Sequence, residues 1–245
     1  MKKVLAAAAL CAVSAFAAWD KFPAIEDGKG EAKIGFAQWR QGDESDNGAD
    51  FKIRYSPTKN FELISVWSGD AYGNPVLGMR FQIAPVFGFS FDFGVPIAST
   101  AASIKPGFQF STPITEALVL GSSVDLTIYS KDPAFRDNYE FARGMDLAAG
   151  IELDVVFTPK STIWLGFDMQ TGITQSKYKG EEFGLKYSVH RPGGEKRGLL
   201  LEPSAGYLMS VGNLGLGTCV VFSFGEDSGN DPFTTTVALD ASVKF

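Results

Sequence analysis

The feature that most constrains this chain is the two-residue period of its closing segment, Thr234 to Phe245, which reads TTTVALDASVKF. Val237, Leu239, Ala241, Val243 and Phe245 fall on one face, and Thr236, Ala238, Asp240, Ser242 and Lys244 on the other. That period belongs to a strand with one apolar and one polar side. The same pattern governs FGFSFDFGV, where Phe87, Phe89, Phe91, Phe93 and Val95 oppose Gly88, Ser90, Asp92 and Gly94. LGMRFQI, MDLAAGIELDVVF and IWLGFDM repeat it. Clusters of Gly, Pro, Asn, Asp and Ser cut the chain into alternating runs at 30–40, 50–57, 61–69, 74–84, 86–95, 103–111, 116–129, 143–158, 161–170, 198–210, 213–225 and 234–245. No stretch reads as an amphipathic helix. No late segment is apolar for the ~18 residues a spanning helix needs, so any membrane contact must be made by strands.

The first residues are of another kind. MKKVLAAAALCAVSAFA has a basic start at Lys2 and Lys3, a short apolar run, and small residues at Ala15 and Ala17. This is the pattern of a secretory signal peptide over 1–17, cleaved after Ala17. Cys11 lies inside it, but Leu10 departs from the small residue that precedes a lipoprotein cysteine. Only Cys219 remains after cleavage, which excludes an intramolecular disulfide. The net charge is −6, and removing Lys2 and Lys3 makes it more negative, which argues against nucleic acid as a partner. There is no zinc-ligand spacing and no phosphate-binding Gly-rich motif, so neither a cofactor nor a metal is expected. The 27 glycines are dispersed through strands and turns, where they make room at crowded wall positions.

The connections alternate in length. Those at 56–60, 84–86, 112–116, 158–161 and 211–213 are short, while 41–49, 96–102, 130–142 and 171–197 are longer and polar, with 70–73 and 226–233 as shorter examples. Tight turns at one end and long loops at the other are the pattern of an even-stranded transmembrane barrel. YSPTKNFEL, FSTPITEALVL and FTPKSTIWL share a strand, a Pro-containing turn and an apolar strand, which is repeated hairpin chemistry. A soluble sandwich also alternates, with its apolar face inward. Three observations favour the membrane. Many strands reach the ~9–11 residues a tilted strand needs to cross a bilayer. The polar faces mix small residues with charges of both signs. Aromatics gather near strand ends, at Trp39, Tyr55, Trp67, Tyr129, Tyr207 and Phe245, where an interfacial girdle belongs.

An alternating last strand that stops on Phe245 resembles the closing strand of Gram-negative-type outer-membrane β-barrels of the porin and transporter kind. The resemblance implies an all-β, antiparallel up-and-down transmembrane barrel of about twelve strands over 30–245. It would have short periplasmic turns, long extracellular loops including 171–197, and a periplasmic N-terminal segment over 18–29. It also implies Sec-type export to the outer membrane, with membrane lipids and the barrel-assembly machinery as partners. Phe245, Val243 and Ala241 would serve as the assembly signal. More narrowly, hairpins such as ADFKIRYSPTKNFELISVW resemble the phenol-degradation-pathway transporter-like barrels, which move small, often hydrophobic molecules; no functional residue carries over from them.

Residues opposite the apolar stripe should face the lumen. The basic candidates are Lys33, Lys52, Arg54, Arg80 and Lys105; the acidic ones are Asp92, Asp125, Asp146, Glu152, Asp154, Asp168, Glu202 and Asp240, with Lys244 near the exit. The first half of the wall then reads as mainly basic and the second as mainly acidic. Such opposition would create a transverse field that orients dipolar solutes, the device of a small-solute channel. The alternatives are a non-conducting structural or interaction barrel, whose charges merely neutralise each other, and, more distantly, an integral-membrane hydrolase. The single histidine, His190, is followed by Arg191-Pro192-Gly193 rather than by the histidine–aspartate–serine run of the twelve-stranded outer-membrane phospholipase, so no catalytic residue is expected. Segment 171–197 carries an excess of basic residues that could grip an anionic solute or headgroup, and its FGLKYSV run could form a strand of its own. QGDESDNGAD at 41–50 begins like a calcium loop, but Arg54 stands where the bidentate Glu would be; with GEDSGNDP it reads as an acidic surface loop.

Overall fold

The computed structural model describes residues 21, 27–41, 43–68, 75–95, 102–129, 145–173, 181–182, 185–186, 199–225 and 233–245. Alternation turns into strands along almost all of them. In chain order these are β1 (Gly30–Gln41), β2 (Glu44–Thr58), β3 (Phe61–Ser68), β4 (Val76–Ala84), β5 (Phe87–Gly94), β6 (Ser103–Thr115) and β7 (Leu118–Tyr129). They continue as β8 (Met145–Thr158), β9 (Ser161–Gly172), β10 (Glu181–Glu182), β11 (Leu185–Lys186), β12 (Leu200–Val211), β13 (Leu214–Gly225) and β14 (Phe233–Lys244). β10 and β11 form a separate two-stranded ladder; the other strands pair antiparallel in chain order, β9 with β12, and β14 returns to β1, so the sheet closes into a barrel of twelve strands. Closure removes the exposed edges that an open sheet would present.

The two faces separate by parity. Outward positions carry large apolar side chains in the open, among them Phe36, Leu77, Phe108, Leu165, Leu216 and Leu239, the last 60 % exposed. Inward positions carry the polar and charged ones, and these are buried. A water-soluble sheet protein would show the reverse. An apolar outer belt on a closed barrel is the arrangement a bilayer requires, because a closed ladder lets the wall's backbone groups pair with one another. No helix among the described residues is long and apolar enough to cross a membrane. The chain is a transmembrane β-barrel.

One end of the barrel is tightly turned. The turns at 59–60, 85–86, 116–117, 159–160 and 212–213 all lie there, with Phe245 and the chain entering β1. The ladders shift register between Tyr55 and Thr58, Gln82 and Ala84, Pro113 and Thr115, and Val156 and Thr158, immediately before four of these turns. The prolines cluster at this end: Pro57 lies inside a register shift and Pro113 at the edge of one, while Pro85 and Pro159 stand in the turns that follow, where the missing N–H costs no ladder bond. At the fifth turn, Gly212 takes φ +61°, which a two-residue hairpin demands. Each turn is tied to the adjoining strand: Gln82 N–H donates to Asn60 O at 2.9 Å, Ser111 N–H to Val86 O at 2.9 Å, and Lys244 N–H to Asn213 O at 2.8 Å. The seam ends in a reciprocal pair, Gly30 N–H to Phe245 O at 2.8 Å and Phe245 N–H to Gly30 O at 2.9 Å. A Cβ on Gly30 would collide with the Phe245 ring, so the terminal aromatic lies across a glycine that makes room for it.

One expectation needs correction. The first connection is not a loop over 41–49: β1 and β2 stay paired up to Gln41 and Glu44, leaving a tight hairpin. This also removes the calcium-loop geometry, since Ser45, Asn47 and Gly48 are held extended in the ladder. Within segment 171–197 the described residues form the short β10–β11 ladder, Glu181 opposite Lys186 and Glu182 opposite Leu185, so that Leu185 and Lys186 of the FGLKYSV run are extended as a strand. Most of that segment, including His190, lies outside the described residues, as do residues 1–17, where a signal peptide is expected, and most of 18–29. So do the side chains of Trp39 and Tyr129, whereas Tyr55, Trp67, Tyr207 and Phe245 are exposed on the outer face.

Candidate functional site: the inner wall

The inward positions put charges of both signs onto one closed surface. Arg54 donates from Nη2 to Glu31 Oε2 at 2.6 Å and lies 3.9 Å from Glu62. Lys52 and Asp50, alternate residues of β2, pair at 2.8 Å. Arg80 donates to both oxygens of Asp92, and Lys105 approaches the same carboxylate at 3.2 Å. Lys33 and Asp240 face each other across the closing seam at 3.7 Å. Lys52 is 2 % exposed and Glu62 1 %, so except at the half-buried Lys105 these pairs have little contact with water, and a charge left there without a partner is costly.

All five basic candidates, Lys33, Lys52, Arg54, Arg80 and Lys105, take part in these pairs. Three acidic partners escape a sequence reading: Glu31, Asp50 and Glu62. Glu31 is the second residue of β1, Asp50 lies where β2 is expected only to begin, and Glu62 shares its face with apolar Ile64 and Val66, which hides the alternation. The first half of the wall is therefore not a bare basic surface. Its cations are neutralised locally, and the transverse field is weaker than the residue list alone implies.

The excess is acidic and sits on β7 to β9 and β12. Asp125 accepts a hydrogen bond from Ser90 at 3.4 Å, Asp146 from Gln170 at 3.2 Å, and Glu202 from Ser223 at 2.8 Å. Glu152 and Asp154 are alternate residues of β8 on the same face of the wall. The counter-charge comes from outside the wall. Lys21, itself 6 % exposed, reaches Asp168 with its ammonium at 2.8 Å. It lines a crevice with Arg80, Gln82, Gly88, Gln109 and Ser111.

The glycines explain how so many carboxylates fit. Asp50 lies over Gly35, Asp92 over Gly78, Asp125 over Gly107, Asp168 over Gly150 and Asp240 over Gly217. In each case the two are partners across neighbouring strands, and a Cβ on the glycine would run into the carboxylate. Without that Cβ, the acid lies flat along the wall. Trp164 uses the same device: a Cβ on Gly206 would come within 2.5 Å of the indole Nε1. With Ala37, Cys219, Val221 and Ala238, this ring forms an apolar patch on an otherwise polar interior. Among the described residues, no group of His, Cys, Asp and Glu could hold a metal ion.

No protein-family model matches the chain. No curated protein matches it in sequence. Solved structures do match in shape. The COG4313 outer membrane channel from Pseudomonas putida F1 aligns with a TM-score of 0.62 at 11 % identity, covering 91 % of this chain and 98 % of that one. KdgM porin aligns with a TM-score of 0.51 at 13 % identity, covering 87 % and 99 %. LpxR from Salmonella typhimurium aligns with a TM-score of 0.52 at 7 % identity, covering 87 % and 99 %. Identities this low speak for architecture only. Together with the closed antiparallel sheet and its apolar outer belt, they fix the fold: a transmembrane β-barrel of the architecture that these outer-membrane proteins share.

Proposed function

We propose that this protein is a narrow outer-membrane channel for small polar solutes, with a charged lumen that favours cations. The observation that carries the proposal is the acidic excess on the inner wall, where Asp125, Asp146, Glu152, Asp154, Asp168 and Glu202 face inward and Lys21 is the base brought to them. Fixed carboxylates in a low-dielectric enclosure concentrate cations and repel anions. The likeness to an outer membrane channel and a porin is consistent with this use of the fold, although a fold by itself assigns no solute.

Planar-bilayer recording tests the proposal. Current steps of defined size, with a reversal potential in a potassium chloride gradient set by the cation, are expected. Anion-selective steps would refute the charge argument. Electrical silence from a folded barrel would favour a structural or interaction barrel instead. One observation supports that second reading: inner-wall charges such as Lys52 and Glu152, each 2 % exposed, have little contact with water.

A further inference from the structure

Lys21 is the unusual element of the interior. It does not belong to the barrel wall, yet it is buried, and its ammonium meets Asp168 at 2.8 Å. Space is left for it. A Cβ on Gly150 would lie 2.6 Å from Lys21 Cε, so the wall is hollowed where the lysine stem runs. Glu202 is the cross-strand partner of Asp168, and Glu152 lies on β8 two residues from Gly150, the partner of Asp168 on its other side. Glu152 is 2 % exposed, and its Oε1 has no hydrogen-bond partner. A buried carboxylate oxygen without a partner is expensive, and its position beside Asp168 invites a further donor.

We propose that the wall around Asp168, Glu152 and Glu202 is a binding site for the primary ammonium groups of small organic cations, occupied in this state by Lys21 as a competitor from the same chain. An alkylammonium presents what Lys21 presents, three N–H donors on an aliphatic stem. A diammonium would place one such group on Asp168 and leave the second for the neighbouring carboxylates. The inference rests on the channel proposal for its physiological meaning, but the site can be measured without any current.

The experiment uses protein purified from outer membranes in detergent, as wild type, Lys21→Gln, and Lys21→Gln with Asp168→Asn. Each is titrated calorimetrically with 1,5-diaminopentane at low ionic strength, with 1,5-pentanediol as the neutral control. If the lysine fills the site most of the time, Lys21→Gln should bind the diamine about tenfold more tightly or better, because the competent fraction limits apparent affinity. Adding Asp168→Asn should abolish that gain, and the diol should not bind. Heat-modifiable gel migration verifies that each barrel is folded, and Glu202→Gln replaces Asp168→Asn if the latter fails that check. Equal affinity of wild type and Lys21→Gln, binding of the diol, or no binding by either folded barrel overturns the site. Bilayer currents from the same preparations separate the two proposals. A conducting barrel that binds no diamine refutes the site alone, a silent barrel that binds it refutes the channel alone, and a silent barrel without binding refutes both.

Discussion

Asp92 offers the sharpest test of how dry the barrel interior is. It lies over Gly78 on the inner wall, accepts from Arg80 Nη2 at 3.3 Å as well as from Nη1, and has Lys105 at 3.2 Å. Asp92 is 4 % exposed and Arg80 5 %. At 3.3 Å, opposite unit charges attract by about 5 kcal/mol at an effective dielectric constant of about 20, but by only about 1.3 kcal/mol in bulk water. Removing the carboxylate leaves a buried guanidinium without its bidentate acceptor, and breaking such a pair costs about 3–5 kcal/mol. A water-exposed pair would cost about 0–1 kcal/mol. Reversible urea unfolding of the barrel in lipid vesicles, followed by tryptophan emission, should therefore place Asp92→Ala about 3–5 kcal/mol below wild type. Replacing the pair together, as Arg80→Met with Asp92→Leu, should recover most of that loss, because neither charge is stranded. A cost under about 1 kcal/mol for Asp92→Ala would refute the reasoning and place the pair in open water.

Other perturbations probe the wall from different sides. Gly78→Ala attacks the same pair from the backbone, since its Cβ would meet the Asp92 carboxylate and lie 3.1 Å from Arg80 Nη1; unfolding should register a loss of about 1–3 kcal/mol. Gly206→Val should push the Trp164 indole off its seat, seen as a changed tryptophan emission maximum in the folded barrel, whereas an unchanged spectrum would contradict the packing. Deleting Phe245 removes two seam hydrogen bonds, each worth about 0.5–1.5 kcal/mol, together with the ring over Gly30. The heat-modifiable form recovered from outer membranes should fall, and normal recovery would count against a role for this residue in closure. Cys219, buried on the inner face, should resist maleimide in the folded barrel and react fully in urea; rapid labelling of the folded form would show an open wall there.

The sequence by itself determined which face most strand residues take, because a period of two leaves little freedom once one face must meet lipid and the other must not. It likewise marked the tight turns, since proline and glycine act through local backbone geometry. That logic fails where the constraint is absent. Residues 44–49 are polar on both faces, so nothing in their pattern marked them as strand, yet pairing with β1 holds them extended. Tertiary structure alone decided the partnerships. Lys33 meets Asp240 because closure brings the first and last strands together, Glu31 and Glu62 converge on Arg54 through register, and Lys21 reaches Asp168 across 147 positions of sequence. Charge can be counted along a chain, but Coulomb attraction depends on distance. Only the closed barrel sets those distances, making one side of the wall neutral and leaving the other acidic.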